Sequence, residues 1–291
     1  MNNLETKYKK ILNVLKENVE KENFSLKKRK PMLTDLEIIA LSLAAESSSL
    51  DSECQLFRNL PQCLIGKIER SVYNRRRRAL FRVYEDIRKK LSSRLLKNSS
   101  RFVVDSMPLE VCKRSRASRS KICREQLDAL PDMGFCASQQ MFYYGYKLHA
   151  VCSTSGVFTS FDLTAASVHD VNYLKNIKYD YCDCTVIGDK GYISRDYQLD
   201  LFSSSNITLE VPYRKNQYDT SELNPIYRIK RKRIETLFSQ LCDQFMIRRN
   251  YAKLFDGFKT RIISKILSLT CLQLINMESG RNINNLKSCF Q

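Results

Sequence analysis

Histidine is nearly missing from this chain, with only His149 and His169 among 291 residues. Cysteine is plentiful at 11, but no Cys-x-x-Cys occurs and the nearest pair is Cys182 and Cys184. A closed zinc site would therefore need scattered ligands. An odd cysteine count in a long chain without a signal-peptide pattern reads as reduced thiols in a cytoplasmic protein, not as a disulfide framework. Long apolar runs are lacking too. The best two, Ile38 to Ala45 and Ile262 to Leu274, are too short or too interrupted to span a bilayer, so no membrane partner is expected. Acidic residues are in deficit, 31 against 49 Lys plus Arg, a net charge of +18. That exceeds what solubility requires and points to nucleic acid as the partner. At 43% apolar residues the chain has ample material for a packed core, which excludes a disordered protein.

Glycine is scarce before residue 98, and the segment reads as helices. Thr34, Asp35, Leu36 and Glu37 form a capping box ahead of Ile38, Ile39, Leu41 and Leu43. A second helix is expected over Asp51 to Asn59, ending before Pro61. A third is expected from Ser71 towards Leu96, loaded with Arg75, Arg76, Arg77 and Arg78 near its start. A short helix followed by an arginine-rich one has the look of a helix-turn-helix that reads a DNA groove. A basic helix lying along phosphates, or a solvated face, is the plainer alternative. From Ser99 short β-rich runs alternate with helical ones. Strands are expected at 101–105, 146–152, 157–163, 184–188 and 207–212, and helices at 169–177, 194–202 and beyond Tyr227. This order predicts an α/β fold with a ribonuclease-H-like mixed sheet flanked by helices, preceded by an all-α, helix-turn-helix-like N-terminal domain. The boundaries expected are 1–97 for a helical DNA-binding domain and 98–291 for a catalytic one.

Two of those strands end in an aspartate, Asp105 and Asp189, and the basic run Lys230 to Arg233 is followed by Glu235. Phosphodiester chemistry needs hard oxygen ligands for Mg²⁺, with Mn²⁺ as a substitute, and two ions are expected to activate the attacking oxygen and neutralise the leaving one. Carboxylates suffice for this, which suits a chain short of histidine. Singly, Asp105 and Asp189 read as turn or cap residues and Glu235 as the partner of Arg231 or Arg228. Jointly they read as a metal site, with Asp162 and Asp183 in reserve. The loop carrying Lys113, Arg114, Arg116 and Arg119 follows the Asp105 strand, and Lys190 adjoins Asp189. These basic residues are expected to contact phosphate, as is Arg231. His149 and His169 read as a packed histidine and a helix start. The stripe Leu254, Phe255, Phe258, Ile262, Ile263, Ile266 and Leu267 reads as core or a subunit contact.

The segments Val104-Asp105-Ser106-Met107-Pro108, Gly145-Tyr146-Lys147-Leu148-His149, Gly188-Asp189-Lys190-Gly191-Tyr192 and Arg231-Lys232-Arg233-Ile234-Glu235 resemble the DDE transposases of bacterial insertion sequences, most of all the family numbered nine-eight-two. The likeness runs from about Leu33 to Ile275. It implies a Mg²⁺-dependent DNA transposase that cuts at terminal inverted repeats and joins 3′ ends to target DNA. By this resemblance Asp105, Asp189 and Glu235 are the catalytic metal ligands, and the protein works as a dimer or higher oligomer on DNA, near the bacterial nucleoid. Two positions depart from the wider signature: Arg228 stands where a Tyr is usual, and Cys242 where a Lys or Arg is. Two other readings stay open: a catalytically inactive, transposase-derived DNA-binding regulator, and a nuclease on the same scaffold.

Overall fold

The computed structural model describes residues 3–24, 31–96, 99–212 and 225–290. The chain forms two compact units, Met1–Leu95 with Gln240–Gln291, and Leu96–Ser239.

The first unit is helical. It contains α1 (Asn3–Asn18), α2 (Asp35–Ser47), α3 (Glu53–Arg58), α4 (Arg70–Ala79), α5 (Phe81–Leu95) and, from the far end of the chain, α9 (Phe255–Glu278). Helix α2 begins where the capping box sets it. The Glu37 N–H donates to Thr34 Oγ1 at 3.1 Å, and the Thr34 N–H donates to Glu37 Oε2 at 2.7 Å. Helix α9 is buried almost all round from Phe258 to Asn276, and α1, α2, α4 and α5 pack about it. Its hydroxyls are compatible with that burial because they find acceptors: Ser264 Oγ donates to the Thr260 carbonyl at 2.6 Å and Ser268 Oγ to that of Leu43 at 2.9 Å. The apolar stripe from Phe255 to Leu267 is thus core, although Leu254 itself is exposed.

Residues 240–291 pack with the N-terminal helices, because a helix without a polar face must be enclosed by others. Two sequence expectations change in this unit. The helix expected from Ser71 to Leu96 is two, α4 and α5, meeting at Leu80. The connection between α3 and α4, residues 59–69, is longer than the roughly three- or four-residue turn of a tight helix-turn-helix.

The second unit is built on a sheet. Its strands are β1 (Arg101–Cys112), β2 (Asp132–Cys136), β3 (Met141–Ser153), β4 (Phe158–Ala165), β5 (Cys184–Ile187) and β6 (Ile207–Glu210), in the order β2-β3-β1-β5-β6 with β4 also on β3. The pairs β1/β3, β2/β3 and β3/β4 are antiparallel, while β1/β5 and β5/β6 are parallel. Helices α6 (Leu174–Asp180) and α7 (Arg195–Ser205) precede β5 and β6 and close one face over Phe102, Val104, Val186, Ile207 and Leu209. Helix α8 (Pro225–Asp243) buries Ile234, Leu237 and Phe238, the last ring 6.2 Å from that of Phe158. The mixed, helix-flanked sheet after a helical N-terminal region is the ribonuclease-H-like arrangement expected.

Strand β1 runs seven residues past Asp105, through Pro108. It pairs with β5 only as far as Val103, so the missing proline N–H leaves no ladder bond unmade on that side. Where β1 bulges opposite Gly145, a Cβ at that glycine would sit 2.2 Å from the Leu109 carbonyl oxygen, so no larger residue fits. Among the described residues no helix is long and apolar enough to cross a membrane, and all eleven cysteines are free thiols.

Candidate active site

Strand register brings the first two carboxylates together. In the parallel pair β1/β5, Val103 lies beside Ile187. Two residues further along each strand stand Asp105 and Asp189, at the same level and, by the two-residue period of a strand, on the same face as Val103 and Ile187. Asp189 follows the last residue of β5 and starts a 3₁₀ turn over Lys190–Tyr192; its Oδ1 accepts the Gly191 N–H at 2.7 Å. A Cβ at Gly191 would lie 2.9 Å from that same oxygen, so a larger residue there would displace the Asp189 carboxylate.

Helix α8 brings the third carboxylate. Arg231 and Glu235 are one turn apart, and Arg231 Nη2 lies 3.2 Å from Glu235 Oε1 while its Nη1 lies 4.0 Å from Asp189 Oδ2. One guanidinium therefore ties the α8 carboxylate to the strand-end carboxylate. Both acids keep substantial exposure, 49% for the Glu235 side chain and 39% for that of Asp189. Among the described residues no three His, Cys, Asp or Glu side chains are gathered closely enough to form a ready-made metal cage.

Asp105 is electrostatically the odd member. Its carboxyl is pushed up to about 7, first by loss of solvent on burial, then by the neighbouring Asp189 and Asp170. The Ser106 N–H, donating to Asp105 Oδ1 at 2.8 Å, and Arg231 act in the opposite direction. A carboxyl shifted this far by desolvation, beside two other acids, marks a candidate functional site. The donors here are carboxylate oxygens alone, and burial keeps the nearby Cys152 thiol protonated, so the set fits a hard divalent ion.

Sequence reasoning missed Asp170. Ser106 points to the other face from Asp105, and its Oγ donates to Asp170 Oδ1 at 2.9 Å; Lys147 Nζ lies 3.0 Å from the same oxygen. His149 belongs to this cluster as a packed residue. It is fully buried, stacked on Tyr173 with ring centroids 5.0 Å apart, its Nε2 2.9 Å from Thr164 Oγ1, and burial pushes it down to about 4, so it stays neutral. No local sequence signal marks Asp170; it is the pairing of Ser106 with His149 across β1 and β3 that brings its partners together. His169 starts the following turn, as expected, its Nδ1 accepting the Val171 N–H at 3.3 Å. The reserve acids lie elsewhere. Asp162 is on β4, beyond β3, and Asp183 precedes the opposite end of β5, where its Oδ1 accepts from Asn206 Nδ2 at 2.8 Å.

Lys113, Arg114 and Lys190 are exposed, and the Arg114 guanidinium lies 5.2 Å from the Phe142 ring centre. The arginine run of α4 is more divided. Arg75 is exposed, Arg76 pairs with Asp35 at 2.5 Å, and Arg77 is buried.

A family model described as the transposase DDE domain matches residues 97–271, more than half of the chain and the whole of the site just described. A comparison with curated proteins found no match.

Proposed function

The chain belongs to the transposase DDE domain family, and from that premise we propose that Asp105, Asp189 and Glu235 are its catalytic triad, closest in kind to the insertion-sequence family nine-eight-two. The observation that carries this reading is the register of β1 and β5, which sets two carboxylates side by side, together with Arg231 reaching both Asp189 and Glu235. A divalent ion, Mg²⁺ or Mn²⁺, would be held by these three side chains and would supply activation of the attacking oxygen and stabilisation of the leaving one.

The chain's own residues do the rest. The Gly191 N–H fixes Asp189 Oδ1, and the other oxygen lies 4.0 Å from Arg231 Nη1. Glu235, exposed on α8 and paired with Arg231, would exchange that bond for a place beside the aspartates. Arg231, once released, is positioned to take a phosphate oxygen of the DNA substrate, and Lys190 and Arg114 extend the cationic surface along the backbone. The reaction is cleavage at terminal inverted repeats followed by transfer of the 3′ ends into target DNA, carried out by two or more copies on the DNA.

The test is to replace Asp105, Asp189 and Glu235 singly by Ala and to follow cleavage and joining of terminal-repeat DNA alongside its binding. Lost chemistry with retained binding supports the triad; a variant that cuts at the wild-type rate removes its residue from the assignment. Cleavage without any joined product would favour a nuclease.

A further inference from the structure

The helical unit holds a cavity of about 420 Å³ that the catalytic reading leaves unused. Arg70, Arg77, Arg78, Lys253 and Arg261 line it. Arg77 and Arg261 are only 6% and 7% exposed, and the Nε atoms of both, and of Arg78, have no hydrogen-bond partner among the described residues. A guanidinium removed from water must recover its lost hydration from an anion or from acceptors, or its burial is strongly unfavourable.

The neighbouring acids do not supply that anion. Buried Glu46 pairs with the Lys265 ammonium. Burial works against its charged form, yet Lys265, Arg261 and Arg77 together hold the Glu46 carboxyl below its ordinary range, so one carboxylate faces three cations. On the cavity wall Glu53, which accepts from Asn74 Nδ2 at 2.5 Å and also acts on Arg77, and Asp51 are two carboxylates against the five lining cations, so positive charge remains in excess. Leu254 and Gly257, at the start of α9, complete the wall where no side chain caps that helix, and a helix N-terminus favours negative charge. Tyr251 also lines the cavity and is 64% exposed, a flat ring beside cations of the kind on which nucleotide bases stack.

We infer that this cavity binds a phosphate group of a DNA strand, with Arg77 and Arg261 as the buried anion contacts, Arg78 and Lys253 as flanking cations, and Tyr251 stacking on the adjoining base. The site is separate from the carboxylates that cut, so it stands or falls independently of them.

Thermal melting of the full-length protein tests it, with inorganic phosphate and a short single-stranded oligothymidylate as probes and sodium chloride at matched ionic strength as the control. Both probes should raise the melting temperature of wild type and of Asp189→Ala equally. Arg261→Met, which removes one of the three cations that share Glu46, should fold without phosphate and should lose the response to both probes. Should that variant fail to fold, exposed Lys253→Ala reads the same loss in weaker form. Tyr251→Ala should keep the phosphate response and bind the oligonucleotide about tenfold more weakly. A phosphate response no larger than that to chloride, or an unaltered response in Arg261→Met and Lys253→Ala, overturns the site. An unaltered oligonucleotide affinity in Tyr251→Ala overturns its assignment to DNA in favour of a small-anion pocket.

Discussion

In the sheet unit Asp105 neighbours Asp189, and Arg231 links Asp189 to Glu235; in the helical unit cations gather around one buried carboxylate. Both arrangements leave charge uncompensated inside the protein, but of opposite sign, and each is balanced most simply by a ligand of the sign it lacks. The net charge of +18 conceals this division. A protein that brings divalent cations and a polyanionic strand together needs one surface of each kind. In the sheet unit Asp189 and Glu235 keep substantial exposure beside a partly buried Asp105, whereas Arg77 and Arg261 of the helical unit are packed. The first therefore suits chemistry and the second suits holding.

The comparison breaks most visibly at the carboxylates. Asp105→Ala or Asp189→Ala should lower DNA cleavage by at least about a thousandfold, roughly 4 kcal/mol of barrier, measured by single-turnover kinetics, with little change in DNA affinity. In the helical unit the charge count gives an asymmetric result. Glu46→Gln leaves Lys265, Arg261 and Arg77 buried without their shared carboxylate and should cost about 3 to 5 kcal/mol of stability. Lys265→Met leaves two cations facing Glu46 and should cost clearly less. Urea denaturation of the two variants decides between this and an ordinary isolated ion pair, for which both losses would be alike.

A smaller effect separates the aspartates. Asp105 has a folded-state carboxyl pushed up to about 7 from its ordinary 3.8. Between those values the metal-free folded protein holds a proton that the unfolded chain has released, so stability falls as pH rises through that window and levels off above it. Asp105→Asn should remove this dependence and raise metal-free stability at pH 8 by roughly 1 to 3 kcal/mol, read from melts at pH 5 and pH 8. A variant less stable than wild type at pH 8 would show that the carboxyl is not disfavoured there. The smallest effect is local: Thr34→Ala removes the α2 cap and should cost about 1 kcal/mol, again by denaturation.

Much of the sheet unit was legible in the sequence because its signals are local. The strand leading to Asp189 and the packed character of His149 follow from residues a few positions apart, as does the capping box at Thr34 in the helical unit, whereas β1 runs on past the end expected at Asp105. What stayed hidden depends on long-range packing. Asp170 reads as an ordinary helix-start acid until β1 and β3 bring Ser106, Lys147 and His149 to it. Strand β2 is five residues with a central glycine and an exposed Phe135, too short and irregular to announce itself. The break between α4 and α5 has neither glycine nor proline to mark it. An arginine run such as Arg75 to Arg78 looks uniformly solvated in sequence, and only the enclosure of α9 shows that Arg77 turns inward.

Whether the three carboxylates share a divalent ion can be measured without DNA. Electron paramagnetic resonance titration of Mn²⁺ into the metal-free full-length protein at pH 8 should show a bound population in wild type. Asp105→Ala and Asp189→Ala should each weaken that binding at least about tenfold, a loss of roughly 1.4 kcal/mol. Mn²⁺ binding unchanged in both variants would contradict the shared site.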